Sequence, residues 1–462
     1  MKFLDAFKAL PDDRRADKGI AVIYVAPKFK MVLSVLFVVA WLATSIYIAR
    51  PWITDLGSYV PLFVAWFIVT GLALIPGMAN ALVVSGLVLD KRPIFIVQPK
   101  SKFPPVSMLI AAYNEEQDIA STLHSVLTQN YPAMLEVIVI DDGSKDNTAQ
   151  IVSQSISESK NPNVKIILNS LPQNKGKANA LNAGLKLASY NYIITLDADS
   201  YLSENSLLNL VNYMVCSTPY TAAVAGSVLV RNSRHNWLTK LQEWDYFHGI
   251  SVVKRIQSLY QGTLVAQGAY SIFKKSALQA CGGWTDTMGE DIVLTWGLHS
   301  KGYKVRYAEN AIIFTNVPET YKKFFRQRRR WARGLIEAFI KHPGVLARPR
   351  LNLPFIWYNV TFPYLDFVYL FVFIPGVIAA VVFQNYLLVG LLTLLLLPLA
   401  ILINGIMYYK QRQVFKRMGL QIRQNLWGFL VYMVGYQLIM TPASLAGYAA
   451  EVLRLKKNWG TK

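Results

Sequence analysis

The stretch Val137-Ile138-Val139-Ile140-Asp141-Asp142-Gly143 decides how the rest of the chain is read. Four β-branched aliphatics in succession describe a strand buried on both faces, as in a parallel sheet. Two carboxylates follow where that strand runs out, and Gly143 and Ser144 signal a turn. A second strand repeats the pattern, with Tyr192-Ile193-Ile194-Thr195-Leu196 running into Asp197-Ala198-Asp199. In open α/β sheets, ligands collect beyond the carboxyl ends of the strands. Two apolar strands that both end in paired carboxylates imply a ligand carrying a metal ion, and a nucleotide diphosphate fits.

Outward from these strands the same alternation continues. Val106 to Ala112 is expected as the first strand, with Tyr113-Asn114-Glu115-Glu116 as its loop and a helix from Asp118 to Gln129. Asp146 to Ser157 reads as a helix, Val164 to Leu168 as a strand, and Asn179 to Ala188 as a short helix. Strands alternating with helices at this spacing imply a parallel, doubly wound sheet, placed between residues 98 and 320.

The composition says what surrounds that sheet. Of 462 residues 53% are hydrophobic and the mean hydropathy is +0.30, with the apolar residues gathered in long blocks near both ends. A formal net charge of +20 admits nucleic acid, an anionic membrane face or an anionic substrate. No nucleic-acid motif is present and the basic residues flank apolar blocks, which points to a membrane surface and away from nucleic acid. Cys216 and Cys281 stand in no paired spacing and read as buried filler. The histidines form no pair of zinc-binding spacing.

Residues 1–30 are polar and rich in lysine and arginine, and are expected to be cytoplasmic. Met31 to Ala49 is long enough to span a bilayer, and a connector from Arg50 to Ser58 leads to a second block, Tyr59 to Leu89. Pro61, Pro76 and Gly77 imply that the second span is kinked or tilted. Residues 31–92 are thus read as two spans, closed by Asp90-Lys91-Arg92. Segment 321–355 interleaves basic and aromatic residues at helical spacing and suits a membrane interface. Three further apolar blocks follow within 356–450: Ile356 to Phe383, Tyr386 to Tyr409 and Leu426 to Ala449, with a basic loop from Lys410 to Gln424. Five spans would leave the tail, 451–462, outside despite Arg454, Lys456 and Lys457, so either the last block is re-entrant or the positive-inside tendency fails here. Asp366 and Asn359, inside the third block, hint at a polar path or lie solvated near the interface.

Four clusters occur in order between the apolar blocks: Asp141-Asp142-Gly143-Ser144, Asp197-Ala198-Asp199, Gly289-Glu290-Asp291 and Gln327-Arg328-Arg329-Arg330-Trp331. Glu290-Asp291 opens an apolar stretch, Ile292 to Leu298, that reads as a helix. Gln327, Arg330 and Trp331 are spaced i, i+3, i+4, so a helix sets them on one face. Arg328 and Arg329 read as lipid-facing. Duller readings exist: Asp141 and Asp142 as caps of the next helix, Glu290-Asp291 as a charge pair at a helix N-terminus, and Trp331 as an interface anchor.

The set resembles the processive family-2 glycosyltransferases, which include poly-N-acetylglucosamine, chitin, hyaluronan and cellulose synthases. The resemblance covers roughly residues 105 to 340 and the flanking spans. It implies a cytoplasmic α/β GT-A domain, Rossmann-like and built to bind a nucleotide sugar, joined to a transmembrane helical bundle. It also implies an integral protein of the bacterial inner membrane whose partners are a UDP-sugar, a growing polysaccharide, membrane lipid and, in some members, a small accessory subunit. By resemblance, Ala111, Tyr113, Glu115, Asp142 and Asp141 hold the uridine, and Lys177 faces the diphosphate. Asp197 and Asp199 hold the ribose and a divalent metal, Mg²⁺ or Mn²⁺. Asp291 is the general base with Glu290 beside it, and Gln327, Arg330 and Trp331 form the Gln-x-x-Arg-Trp element. Gln267-Gly268-Ala269 departs from the Cys-Gly or Ser-Gly of many members and is expected to line the acceptor site with Trp331.

The residue chemistry is compatible with these roles. A hard cation takes oxygen ligands and bridges phosphates. A metal and Arg330 would neutralise charge on departing UDP, and an inverting transfer needs a carboxylate to take the acceptor proton. No cyclic-dinucleotide domain is expected after the last span, unlike a bacterial cellulose synthase. UDP-N-acetylglucosamine is the expected donor. UDP-glucose feeding a β-glucan, a non-processive transfer to lipid, and a nucleotide-regulated transporter are the alternatives.

Overall fold

The computed structural model describes residues 7–11, 21–90, 103–158, 161–389, 396–417 and 425–457. The chain divides into two compact units, one formed by Met1–Ile94 with Pro349–Ala446, the other by Phe95–Arg348 with Gly447–Lys462.

The second unit is an α/β fold. In chain order its elements are β1 (Val106–Ala112), α1 (Ile119–Leu127), β2 (Leu135–Asp141), α2 (Thr148–Glu158), β3 (Val164–Ser170), α3 (Lys177–Leu187), β4 (Tyr192–Asp197) and β5 (Ser200–Leu202). There follow α4 (Ser206–Val215), β6 (Thr221–Val230), α5 (Trp237–Trp244), a π-helical turn (Asp245–Val252), α6 (Val253–Leu259), β7 (Tyr270–Lys274), α7 (Lys275–Ala280), α8 (Glu290–Ser300), β8 (Lys304–Thr315) and α9 (Tyr321–Lys341). The eight strands lie in the order β3-β2-β1-β4-β7-β6-β8-β5. The first four run parallel, as the sequence implies. The sheet as a whole is mixed, however, which corrects the expectation of an all-parallel one: β7 is antiparallel to both β4 and β6, and the edge strand β5 is antiparallel to β8.

The aliphatic run in β2 is explained by what covers it. Val137, Ile138, Val139 and Ile140 are all fully buried. Val137 and Val139 face one cluster with Ile119, Leu123 and Val126 of α1, while Ile138 and Ile140 face another with Ala178, Leu181 and Leu185 of α3. Removing each such side chain from water is worth about 1.5–3 kcal/mol. The strand ends where the cover ends. Gly143 adopts φ +73, a left-handed conformation that glycine takes without a Cβ penalty.

In the helical unit, four helices of the described residues are long and apolar enough to cross a membrane: Pro27–Gly57, Leu62–Leu89, Phe362–Phe383 and Leu426–Val452, the last running on into the α/β unit. The expected connector Arg50–Ser58 is helical as far as Gly57, with Pro51 inside the helix. The second helix contains a π-turn at Thr70–Leu74 just before Pro76, and a third-block helix has another at Tyr369–Phe373 just before Pro375. A proline ring collides with the carbonyl four residues back, and the wider turn relieves it. The block Ile356 to Phe383 breaks at Thr361, two residues before Pro363. Asp366 is buried and accepts from Gln437 Nε2 at 2.9 Å and Thr441 Oγ1 at 3.3 Å. Asn359 bonds back to the Phe355 carbonyl of its own helix at 2.7 Å.

Several sequence readings fall partly outside the described residues: Lys91 and Arg92, 1–6 and 12–20 of segment 1–30, 390–395 of the block Tyr386 to Tyr409, 418–424 of the basic loop, and 458–462 of the tail. One reading is corrected: Cys216 is exposed at the end of α4, so it is not core filler. The described part of the tail packs within the α/β unit, where Arg333 on α9 pairs with Glu451 at 2.5 Å.

Candidate active site

The sheet register sets the acidic residues side by side. Ala112 pairs with Asp141 across β1 and β2, and Ala111 pairs with Asp197 across β1 and β4. The carboxyl ends of three adjacent strands therefore form one rim.

On this rim Asp141 Oδ1 accepts from Ser144 N at 2.9 Å, and Asp142 reaches the next loop, accepting from Lys175 N at 3.0 Å and Gly176 N at 2.8 Å. Burial pushes the Asp142 carboxyl up; the two backbone N–H groups oppose this and the charge of Asp141 reinforces it. The first N–H of α2, that of Thr148, is met instead by Asp146 Oδ1 at 3.1 Å. Asp142 instead fixes the turn from which Lys177, at the start of α3, projects. Tyr113 and Glu115 lie in the loop after β1, where Glu115 N donates to Thr148 Oγ1 at 2.8 Å.

Lys177 is the hub. Its ammonium bonds Asp197 Oδ1 and lies 3.8 Å from Glu290 Oε1. Burial alone would lower its proton affinity, but Asp197, Glu290 and Asp291 outweigh that and raise it, so it stays charged. Glu290 and Asp291 form the first turn of α8, where the helix dipole favours negative charge. Burial, with Asp291 next to it, pushes the Glu290 carboxyl up to about 7 against the pull of Lys177 and Arg330. Asp291 Oδ1 accepts from Ile292 N at 2.8 Å, and its Oδ2 accepts from Gly268 N at 3.2 Å. A Cβ at Gly268 would stand 3.0 Å from Lys177 Nζ and 3.4 Å from Glu290 Oε1, so this backbone lies directly against the cluster. Gln267 beside it bonds Lys254 Nζ through Oε1 and the Gly226 carbonyl through Nε2.

Helix α9 carries Gln327, Arg330 and Trp331 along one face. The Trp331 ring lies 6.4 Å from that of Tyr246, and the Arg328 guanidinium stacks 4.1 Å over it. Arg328 is buried and pairs with Asp245 at 2.8 Å, which corrects its reading as lipid-facing. Gln327 Oε1 is buried and accepts no hydrogen bond from the described residues.

Three residues escaped the sequence reading: Asp245, Tyr246 and Lys254. They lie in or next to the π-turn Asp245–Val252, a feature common at functional sites. The Tyr246 hydroxyl is pushed up to about 12, by burial first, with Arg328 opposing and Asp245, Asp199 and Asp197 adding to it. Its ring lies near both the acidic rim and Trp331. Burial lowers Lys254 to about 7, against the charge of Asp291. The adjacent cations Lys254 and Arg255 between Val253 and Ile256 were the available signal.

Among the described residues no group of three or more His, Cys, Asp or Glu could hold a metal by itself. Asp197 and Asp199 end one strand, and Asp199 Oδ1 accepts from Thr315 Oγ1 at 3.3 Å. This donor set fits a hard cation of the Mg²⁺ type, which binds through one or two carboxylates and completes its shell with phosphate oxygens and water.

Residues 107–282 match the Glycosyl transferase family 2 profile. The chain is 38% identical over 251 residues to a poly-beta-1,6-N-acetyl-D-glucosamine synthase of Staphylococcus epidermidis, covering 54% of this chain and 59% of that protein. It is 37% identical over 254 residues to a synthase of the same name from Staphylococcus aureus strain COL, covering 55% of this chain and 59% of that one. The matched region thus spans well under two thirds of each relative. A mannosyltransferase of Pyrobaculum calidifontis, solved with GDP-mannose and Mn²⁺, superposes with a TM-score of 0.56 over 84% of this chain and 99% of its own, at 19% identity, and shares the fold. The α/β unit is a GT-A-like fold. Residues 107–282 thus resemble the family-2 glycosyltransferases, and the chain is similar over about half its length to the poly-N-acetylglucosamine synthases.

Proposed function

We propose that this protein is an inverting, processive glycosyltransferase that adds N-acetylglucosamine from its UDP donor to a growing β-linked polysaccharide and passes the product across the membrane. The observation that carries this reading is the cluster Lys177, Asp197, Glu290 and Asp291. It sets a cation for a diphosphate beside a carboxylate for an acceptor hydroxyl. The likeness to the staphylococcal synthases supports the choice of donor.

In this reading the uridine lies against Ala111, Tyr113, Glu115, Asp141 and Asp142. Asp197 takes the ribose, and Lys177 turns from Asp197 to the diphosphate. Asp199, with Asp197, would hold Mg²⁺ or Mn²⁺, which when bound supplies charge neutralisation at the phosphates. The acceptor sugar rests on Trp331, with the buried oxygen of Gln327 available to one of its hydroxyls and Gln267-Gly268 beside it. Asp291 takes the proton of the attacking hydroxyl. The acceptor oxygen bonds to the anomeric carbon from the face opposite the phosphate. The bond from that carbon to the phosphate oxygen breaks, and UDP leaves with the electron pair. Arg330 and Lys177 stabilise the charge on UDP. The α/β unit faces the cytoplasm of a bacterial cell, where nucleotide sugars are made, and lipid surrounds the spans.

The test is turnover of the purified full-length protein in lipid with a panel of UDP-sugars and Mg²⁺ or Mn²⁺. UDP release and a long polymer with UDP-N-acetylglucosamine are expected. Turnover with UDP-glucose alone would make it a β-glucan synthase, single-sugar products on lipid would remove processivity, and no turnover with any donor would overturn the enzyme reading.

A further inference from the structure

The C-terminal segment Gly447–Lys457 makes contacts that the proposed reaction does not use. Arg333, buried on α9 two residues beyond Trp331, donates through Nε to Glu451 Oε2 at 2.5 Å, through one terminal nitrogen to the Lys456 carbonyl at 3.2 Å, and through the other to the Leu455 carbonyl. One further turn along α9, Glu337 is only 2% exposed. Its Oε1 receives the Lys457 ammonium, which also lies 3.9 Å from Glu451 Oε1. Its Oε2 accepts from Gly289 N at 3.2 Å. Gly289 is the N-cap of α8, and the next two residues are Glu290 and Asp291. Gly447 closes the other end of the contact: a Cβ there would stand 2.5 Å from the Arg329 carbonyl oxygen and 2.7 Å from Ala332 Cβ. The segment therefore grips α9 on both sides of Arg330 and Trp331 and reaches the base-bearing turn through one carboxylate.

We propose that Glu451 and Lys457 are positioning residues, through which the C-terminal segment holds α9 and the first turn of α8 in the register that aims Asp291. The proposal rests on the reading of Asp291 as general base. Three features argue against a mere surface clasp. Arg333 and Glu337 are almost fully buried, so each needs its charge partner. The partners come from a segment far away in sequence. And the same carboxylate that receives Lys457 accepts from the backbone at the head of the catalytic turn. A base displaced by about 1 Å loses on the order of a hundredfold in rate, so small losses of this grip read out in turnover.

The experiment compares wild type, Lys457→Met, Lys457→Arg and Glu451→Gln as full-length protein in lipid. Each is measured by hydrogen exchange over residues 286–296, by thermal unfolding, by UDP affinity and by steady-state turnover. For Lys457→Met and Glu451→Gln the proposal expects faster exchange at the start of α8, a fall of roughly tenfold in kcat, and unchanged donor KM and UDP affinity. Lys457→Arg should restore both exchange and kcat. A purely structural clasp would instead lower thermal stability and UDP affinity together with kcat, and that result would overturn the proposal. So would unchanged exchange in both charge-removing variants. Faster exchange in variants of a protein whose wild type turns over no UDP-sugar would leave the grip in place and sink the enzymatic reading instead.

Discussion

Gly334→Ala isolates what the crossing of α9 and α8 does. Gly334 lies on α9 three residues beyond Trp331, and its backbone meets that of Gly289. A Cβ at residue 334 would stand 2.6 Å from Gly289 Cα and 3.0 Å from Gly289 N. Non-bonded carbons settle at about 3.6 Å, so the two backbones have to part by about 1 Å. The neighbour is backbone at the cap of α8, not the end of a flexible side chain, so the shift passes to Glu290 and Asp291. Helix propensity acts the other way, since alanine is favoured over glycine within a helix by about 1 kcal/mol. If propensity decided the outcome, the variant would gain stability and keep its rate. The crossing predicts that kcat falls roughly a hundredfold, as expected for a base misplaced by about 1 Å. UDP affinity should stay within about twofold, because the rim on β1, β2 and β4 that is proposed to hold the nucleotide is not disturbed. Coupled-assay turnover and isothermal titration with UDP separate the two quantities. Wild-type turnover in Gly334→Ala would refute the argument that this close approach positions the base.

Two more predictions follow from the charges. Glu290 sits with its carboxyl pushed up to about 7, beside Lys177 at 3.8 Å. Raising the pH through that value adds a negative charge where the proposed reading puts the diphosphate, so UDP affinity should fall between pH 6 and 8 by roughly fivefold, about 1 kcal/mol. Glu290→Gln should flatten that added dependence in a titration series, and an unchanged pH profile would show that Glu290 does not face the phosphates. Asp245→Asn leaves the buried Arg328 guanidinium without its charge partner, a loss of about 3–5 kcal/mol when such a pair is broken. Thermal unfolding should drop, and acceptor KM should rise as Trp331 loses its stacked support, while UDP affinity holds.

The parts of the fold readable from sequence were those set by local burial. The run Val137–Ile140 has both faces covered, so its composition alone described a central parallel strand. The helices between β1 and β4 followed from periodicity. The insertion of β7 between β4 and β6 did not, because antiparallel pairing to strands distant in sequence leaves no local mark. Within the site, the acidic strand tips were visible because two strands end in the same way. Lys254, Tyr246 and Asp245 were hidden in a stretch whose apolar neighbours read as core, and only the π-turn brings them to the rim. Arg328 was misread for a related reason: helical spacing gives the face of α9 but not the Asp245 waiting opposite it. Counting apolar blocks likewise says nothing about Arg333 and Glu451, whose pairing packs the tail within the α/β unit.

The central claim is that a carboxylate at the head of α8 takes the acceptor proton while the strand tips hold the nucleotide. Asp291→Asn tests it most directly, since the amide keeps the shape and one of the two backbone hydrogen bonds, from Gly268 N or from Ile292 N, but cannot accept a proton at neutral pH. UDP release in lipid should fall by about a thousandfold, with UDP affinity preserved. Turnover at the wild-type rate in this variant would contradict the account.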